Sequence, residues 1–328
     1  MTEPKETTTP NSAKPAVSPA AAVAGKPWLP EVEVDLTLAR TLVAGVAPEL
    51  AEVVPEALGS GWDNTAWLFR GPACDAWVFR FPRRTIAVDL LARELEVMAT
   101  LAQHLPLEVT AARWRGVMPN GWQFGGYRFL AGDIAAISDL DDATKLALAP
   151  SWGAFVRALH ALDPVQLGLI LPDDPLGKVD VNRRWDVTLS TLTSTASAND
   201  GTLRVLERAR AMWILGGDRP RVICHGDLDA RHLIVDRAVP VPVATGVIDW
   251  GDVMIADPAV DLGMAFSFLE GPAREAFFDV YGEIDPVTEA LARFRAVASQ
   301  AWILSWASDQ GHIEHAIEAR RGLGRATR

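Results

Sequence analysis

The stretch from Val222 to Asp261 constrains this chain more than any other. It reads VICHGDLDARHLIVD and, nine residues later, GVIDWGDVMIADPAVDL. Two short β-branched runs, Val222–Ile223 and Val247–Ile248, each end on polar residues. The first delivers His225, Asp227 and His232, and the second delivers Asp249. Two aspartates carried in this way suit phosphoryl transfer, one beside an accepting hydroxyl and the other holding Mg²⁺.

The chain has 328 residues. Once a polar start is set aside, that length suffices for two lobes with a sizeable core. The net charge of −11 argues against a nucleic-acid partner, which would call for basic patches. It is compatible with a cationic substrate, although a solvated acidic surface explains the same number. Cys74 and Cys224 are far apart in sequence and read as buried small hydrophobes of a reducing cytosol. Residues 1–30 are rich in Pro, Ala, Thr and Ser and read as a disordered tail. Pro19 interrupts the weakly apolar run from Val17 to Gly25, and a basic start is missing, so no secretory signal is expected. No run is long and apolar enough to cross a membrane, and the expected location is cytoplasmic.

The front half reads as a small sheet with one helix. A helical stretch over Asp35–Ala47 precedes LGSGWDNTAWLFRG, where Gly59, Ser60 and Gly61 permit a tight turn able to lay backbone N–H groups over phosphates. Most such turns bind nothing. A strand at Trp67–Phe69, a hairpin turn at Gly71–Pro72 and a strand at Ala76–Phe81 follow. Arg80 shares a strand face with Val78 and Pro82, opposite Trp77, Phe79 and Phe81, and a cation placed there wants an anion. The helix over Thr85–His104 offers Glu94, which lies on the stripe of Leu91, Met98 and Leu105. An inward carboxylate needs a partner, and Arg80 is the economical one; a place at the water's edge of the stripe is the alternative. Strands near Glu108–Trp114 and Trp122–Phe129 come next, and Gly132–Asp133 reads as a hinge between lobes.

The back half reads as mostly helical. Trp152, Phe155, Val156 and Leu159 mark an amphipathic helix that ends on His160, taken as structural. Residues 173–200 read as a loop plus helix covering a cleft, followed by a helix over Thr202–Trp213. Trp302 and Trp306 are spaced to share one helix face as core or cleft wall. The basic end RRGLGRATR is expected to fray.

HGDLDARHLIVD followed by GVIDWGDVMIADPAVDL resembles the aminoglycoside phosphotransferase family. The resemblance extends to GSGWDN, to WVFRFPRR, to Glu94 and to GYRFLAGD, in the expected order over most of residues 50–310. Some of these motifs look closest to macrolide phosphotransferases. The resemblance implies an α+β, protein-kinase-like, two-lobed fold with a small antiparallel-sheet N-lobe and a larger, mainly helical C-lobe. The lobes would span residues 31–130 and 131–328.

It also implies roles. Asp227 would be the catalytic aspartate that orients the acceptor hydroxyl. Asp249 would hold Mg²⁺ on the nucleotide phosphates. Gly59, Ser60, Gly61, Arg80, Glu94, Tyr127 and Phe129 would contact ATP or GTP. His225 would brace the catalytic loop, Asp261 would tie that loop down, and Asp257 would cap the following helix. Two positions depart from the commonest pattern. Arg80 stands where a lysine is usual, and a guanidinium can still clamp phosphate oxygens and a glutamate. His232 stands where asparagine is usual; imidazole is a poorer Mg²⁺ ligand than an amide oxygen, but macrolide-type members share it. Asp229 inside the loop reads as solvated or as facing the acceptor. An acidic cleft of Asp227, Asp249 and Asp229 or Asp252 would draw a cationic acceptor, an antibiotic bearing an amine.

Three rivals accompany this reading. His225, Asp227, Asp229 and His232 cluster like metallohydrolase ligands, but the usual His-x-His-x-Asp-His pattern would not place Asp at 227. A metabolite kinase acting on a sugar or amino alcohol would use the same catalytic parts. A non-catalytic nucleotide-binding scaffold would explain Arg80 and His232, yet would need neither Asp227 nor Asp249.

Overall fold

The computed structural model describes residues 29–71, 75–239 and 242–328. The expected tail therefore falls almost wholly outside the described residues, as do Pro72 of the predicted hairpin turn, Cys74 and the side chain of Ser60.

Helix α1 (Leu36–Val46) opens the described chain, with Asp35 accepting from the Leu38 N–H as its N-cap at 2.8 Å. Strands β1 (Glu56–Ser60), β2 (Asn64–Arg70) and β3 (Ala76–Pro82) form an antiparallel meander. The inward face of β3 is aromatic, and Trp77, Phe79 and Phe81 are buried there as its alternation requires. Helix α2 (Thr85–Leu101) follows β3, burying Leu91, Leu95 and Met98. The predicted strand over Glu108–Trp114 is two strands, β4 (Glu108–Val109) and β5 (Ala112–Val117). A period-2 pattern does not reveal a change of sheet. β5 pairs with β6 (Gln123–Arg128), giving the five-stranded order β1-β2-β3-β6-β5, whereas β4 joins a different sheet.

That second sheet has the order β4-β10-β9-β7, built with β7 (Asp133–Ile134), β9 (Leu233–Asp236) and β10 (Val243–Val247). The expected hinge falls where residues 129–132 join β6 of the first sheet to β7 of the second. Gly132, at φ +132°, leads straight into β7, and a Cβ there would meet the Val235 carbonyl oxygen at 2.6 Å. The segment is pinned to β9 by close backbone approach.

Helices supply most of the remainder: α3 (Asp142–His160), α4 (Val181–Ser194) and α5 (Asp200–Leu215) precede β8 (Val222–Cys224). After β11 (Met254–Ala256) come α6 (Ala259–Phe268), α7 (Gly271–Tyr281), α8 (Pro286–Gln310) and α9 (Ile313–Ala326). α6 is apolar nearly all round and wholly buried, as a helix without a polar face must be. Trp152, Phe155, Trp250, Phe277 and Phe294 centre the large core. The chain end does not fray. Leu323 and Ala326 of α9 are buried, and Arg325 lies buried on Glu318, so the basic residues that suggested a loose tail are partly anchors.

Candidate active site

Strand pairing brings the two signature loops together. The loop of residues 225–232 runs from β8 to β9, and the loop of residues 248–253 runs from β10 to β11. β8 pairs with β11 through Cys224 and Met254, while β9 pairs with β10 through Leu233 and Val247. The two loops are thereby held side by side at both ends. Gly226, at φ +87°, makes the closest approach, where a Cβ would lie 2.2 Å from the Asp252 carbonyl oxygen.

Asp261 fixes the first loop from below. It is fully buried on α6 and accepts from the backbone N–H groups of His225 at 2.7 Å and Gly226 at 2.9 Å. His160 stands beside it, with Nε2 at 3.3 Å from Asp261 and Nδ1 at 2.9 Å from the Tyr281 hydroxyl. Burial lowers the His225 pKa and keeps that ring neutral; it spans Ile248 O at 3.0 Å and the Asp227 N–H at 3.2 Å. Asp257 accepts from the Ala259 N–H at the start of α6 and from Arg219.

Asp227 sits among cations. Its Oδ1 accepts from Arg295 Nη2 at 3.0 Å, and its Oδ2 lies 3.5 Å from Arg231 Nη2. Enclosure works to raise its pKa, but Lys178, Arg231, His232 and Arg295 outweigh it and hold the carboxyl far below the usual range. Asp229 is not solvated as expected. It is buried, accepting from Arg231 Nε at 3.0 Å and Gln300 Nε2 at 2.7 Å. Lys178, buried ahead of α4, donates to Gly226 O at 2.9 Å and Asp252 at 3.1 Å, tying the two loops. The carboxylates expected to form an acidic cleft are thus each paired with a cation.

Across the cleft, Arg80 Nη1 donates to both oxygens of Glu94, at 2.8 and 2.9 Å, and Nη2 donates to Asp249. Glu94 is fully buried, so the inward placement holds. Asp249 sits at φ +67°. Enclosure works to raise its pKa, but Arg80 and then His232 outweigh it and bring it down to about 2. His232 Nδ1 donates to the Asp227 carbonyl at 2.8 Å, which leaves Nε2 facing Asp249 Oδ2 at 3.5 Å. The two groups converge, and Asp249 Oδ2 with His232 Nε2 suits a divalent cation, oxygen first and imidazole nitrogen second. Arg80, Glu94, Asp227, Asp249, Asp252 and Asp63 line one small cavity of about 30 Å³ between the lobes.

Other predicted contacts need correction. Gly59 and Ser60 end β1, and the turn falls at 61–63, closed by the Gly61 N–H on Asn64 O at 3.0 Å. The cavity meets this loop at Asp63 and Asn64. Tyr127 is buried with Leu91 and Leu95, and its ring lies 5.9 Å from the Arg80 guanidinium. It backs Arg80 instead of facing the cleft, because its position on β6 points toward α2. Phe129 is half-buried, and its N–H is taken by Ala76 O at 2.9 Å. Lys178, Arg231, Arg295 and Gln300 were not singled out from sequence. Arg295 alone carried a signal, since it lies seven residues before Trp302 on the same helix.

A five-stranded sheet lobe, a helical lobe and adjoining loops that bring Asp227 and Asp249 to one cavity define a protein-kinase-like fold. The profile of the phosphotransferase enzyme family matches residues 55–297, and the chain belongs to that family. An aminoglycoside 3'-phosphotransferase of Streptomyces fradiae is 27% identical over 181 residues, which are 49% of this chain and 62% of the relative's length. The uncharacterized protein YcbJ of Bacillus subtilis (strain 168) is 26% identical over 255 residues, 72% of each chain. The GDP complex of aminoglycoside 2'-phosphotransferase-IIIa superposes with a TM-score of 0.66 at 20% identity, covering 90% of this chain and 99% of the other. Macrolide 2'-phosphotransferase from Brachybacterium faecium superposes with a TM-score of 0.57 at 22% identity, covering 88% and 97%.

Proposed function

We propose that the protein is a small-molecule O-phosphotransferase. It moves the γ-phosphate of ATP or GTP to a hydroxyl of an antibiotic of aminoglycoside or macrolide type that carries an amine, and so confers resistance in the cytoplasm. The observation that supports this best is the shared cavity in which Asp227 faces Asp249 and the Arg80–Glu94 pair. Related structures hold GDP with kanamycin, ADP, and streptomycin with ATP. Among the described residues no helix is long and apolar enough to cross a membrane.

The chemistry follows from the geometry. Asp249 and His232 would hold Mg²⁺, which neutralises charge on the nucleotide phosphates. Arg80 releases Asp249 to that role and turns its guanidinium to phosphate oxygens, while Glu94 keeps it in place. Arg295 and Arg231 keep Asp227 ionised and fix its plane. A carboxylate retains lone pairs beyond those two contacts, so Asp227 can accept a hydrogen bond from the acceptor hydroxyl. The bond from the γ-phosphorus to the bridging oxygen breaks, the hydroxyl oxygen bonds to phosphorus, and its proton passes late to Asp227. Positioning supplies most of the rate, because the transition state is loose.

A metabolite kinase is the second reading. It is favoured by the pairing of Asp227, Asp229 and Asp252 with cations, which removes the acidic surface a polycation would seek.

The test is Mg²⁺-dependent turnover of ATP and of GTP by purified protein against aminoglycosides, macrolides, sugars and amino alcohols. Turnover stimulated by an antibiotic is the expected result. Stimulation by a sugar or amino alcohol alone selects the second reading, and nucleotide binding without any transfer contradicts both.

A further inference from the structure

Trp62 occupies the tip of the β1–β2 turn, beside the loop residues Asp63 and Asn64 that line the cavity. Its ring does not stay in its own lobe. It meets Trp302 edge-on at 6.4 Å and Trp306 at 6.0 Å between centroids, both on α8. Trp306 packs in turn against His312 and His315 of the α8–α9 corner.

The same face of α8 reaches the catalytic loop. Arg295, Ser299, Trp302 and Trp306 follow one another at helical spacing, and Arg295 holds Asp227 at 3.0 Å. At 1.5 Å of rise per residue, the tryptophans lie roughly 10 to 16 Å along the helix from Arg295. Gln300, beside Ser299 on the same helix, holds Asp229. A molecule with a hydroxyl at Asp227 and a body lying along α8 therefore runs onto the tryptophans.

The far end of this route, where Trp62, Trp302 and Trp306 cluster, is apolar. Asp227, Asp229 and Asp252 are all paired with cations, which leaves little to hold several ammonium groups. The indole N–H of Trp302 is buried and has no acceptor among the described residues, a donor that an oxygen on the occupant satisfies.

We propose that Trp62, Trp302 and Trp306 form an acceptor clamp shared by the two lobes, and that it takes a bulky, largely apolar alcohol. The word acceptor rests on the phosphotransferase reading; the clamp itself does not. Because Trp62 rides on the nucleotide loop, seating the acceptor and seating the nucleotide support each other.

The experiment is calorimetric binding of two probes to the full chain with Mg²⁺ and GDP present. One probe is a macrolide, bulky and mostly apolar with a single amine, and the other is kanamycin, a polyamino sugar. The macrolide is expected to bind about tenfold or more tightly than kanamycin. Trp302→Ala and Trp62→Ala are expected to weaken it about tenfold, with kanamycin changed less than about twofold. Trp62→Phe keeps most of the macrolide affinity, because an aromatic ring remains. Melting curves confirm the fold of each variant, with Trp302→Phe used if the alanine variant unfolds. Tighter kanamycin binding, no macrolide binding, or a macrolide affinity indifferent to Trp302 overturns the clamp. Tryptophan-dependent macrolide binding without phosphate transfer sustains the clamp and counts against the transfer reading for that acceptor. Kanamycin phosphorylation with no macrolide bound does the reverse.

Discussion

Arg295, on α8, donates to Oδ1 of Asp227 at 3.0 Å, so the helix that walls the cleft also sets the plane of its central carboxylate. Replacing it with methionine keeps the packing of the stem and removes the contact. The expected result for Arg295→Met is a turnover about 10 to 100 times lower with nucleotide affinity unchanged, because a misplaced group loses rate before it loses binding. Arg295→Lys is expected to recover part of the loss. An unchanged turnover in Arg295→Met removes Arg295 from the site.

Glu94 is fully buried against Arg80. Glu94→Ala strands a largely buried guanidinium, and breaking a buried pair costs about 3 kcal/mol or more. Urea unfolding is expected to show that loss, and nucleotide binding is expected to weaken as Arg80 swings free. A loss below about 1 kcal/mol would mean that Asp249 alone satisfies Arg80.

Gly226 carries a positive φ and faces the Asp252 carbonyl. Gly226→Ala forces the two loops apart, with strain at φ +87° added to the clash at 2.2 Å. Turnover is expected to fall at least about tenfold, with a melting temperature lowered by several degrees. Wild-type behaviour would show that the loops need no such approach.

Much of this was legible in the sequence, and for physical reasons. Arg80 and Glu94 could be paired because an inward charge on a strand and an inward charge on the next helix each require an opposite. Asp227 and Asp249 stood out because β-branched runs deliver them. The burial of Tyr127 against Leu91 and Leu95 was not legible, because strand alternation says that a side chain is on one face without saying which layer covers it. Asp229 looked solvated because its partners, Arg231 and Gln300, include one from a helix seventy-one positions away. Lys178 left no trace, since nothing local ties a loop lysine to Gly226. The terminal RRGLGRATR suggested fraying by charge alone, while Leu323 and Ala326 carried the packing signal.

His315 offers a pH test of the α8–α9 corner. Burial, followed by Arg231 nearby, holds its pKa down at about 4 from an ordinary 6.5. The folded state keeps the ring neutral, while the unfolded chain takes up a proton below pH 6.5. Stability is therefore full above 6.5 and falls as pH drops toward 4. Melting temperatures across that window are expected to decline less steeply in His315→Gln than in the wild type. Parallel declines would contradict the neutral, enclosed ring.

Asp227 is assigned to the acceptor and not to the nucleotide. The direct measurement compares wild type and Asp227→Ala for acceptor-dependent phosphate transfer and for Mg²⁺-nucleotide affinity in the same preparation. Transfer is expected to fall by about 100-fold to 10,000-fold while the nucleotide dissociation constant stays within about threefold. Near-normal transfer, or a loss explained by failed nucleotide binding, would contradict that role for Asp227.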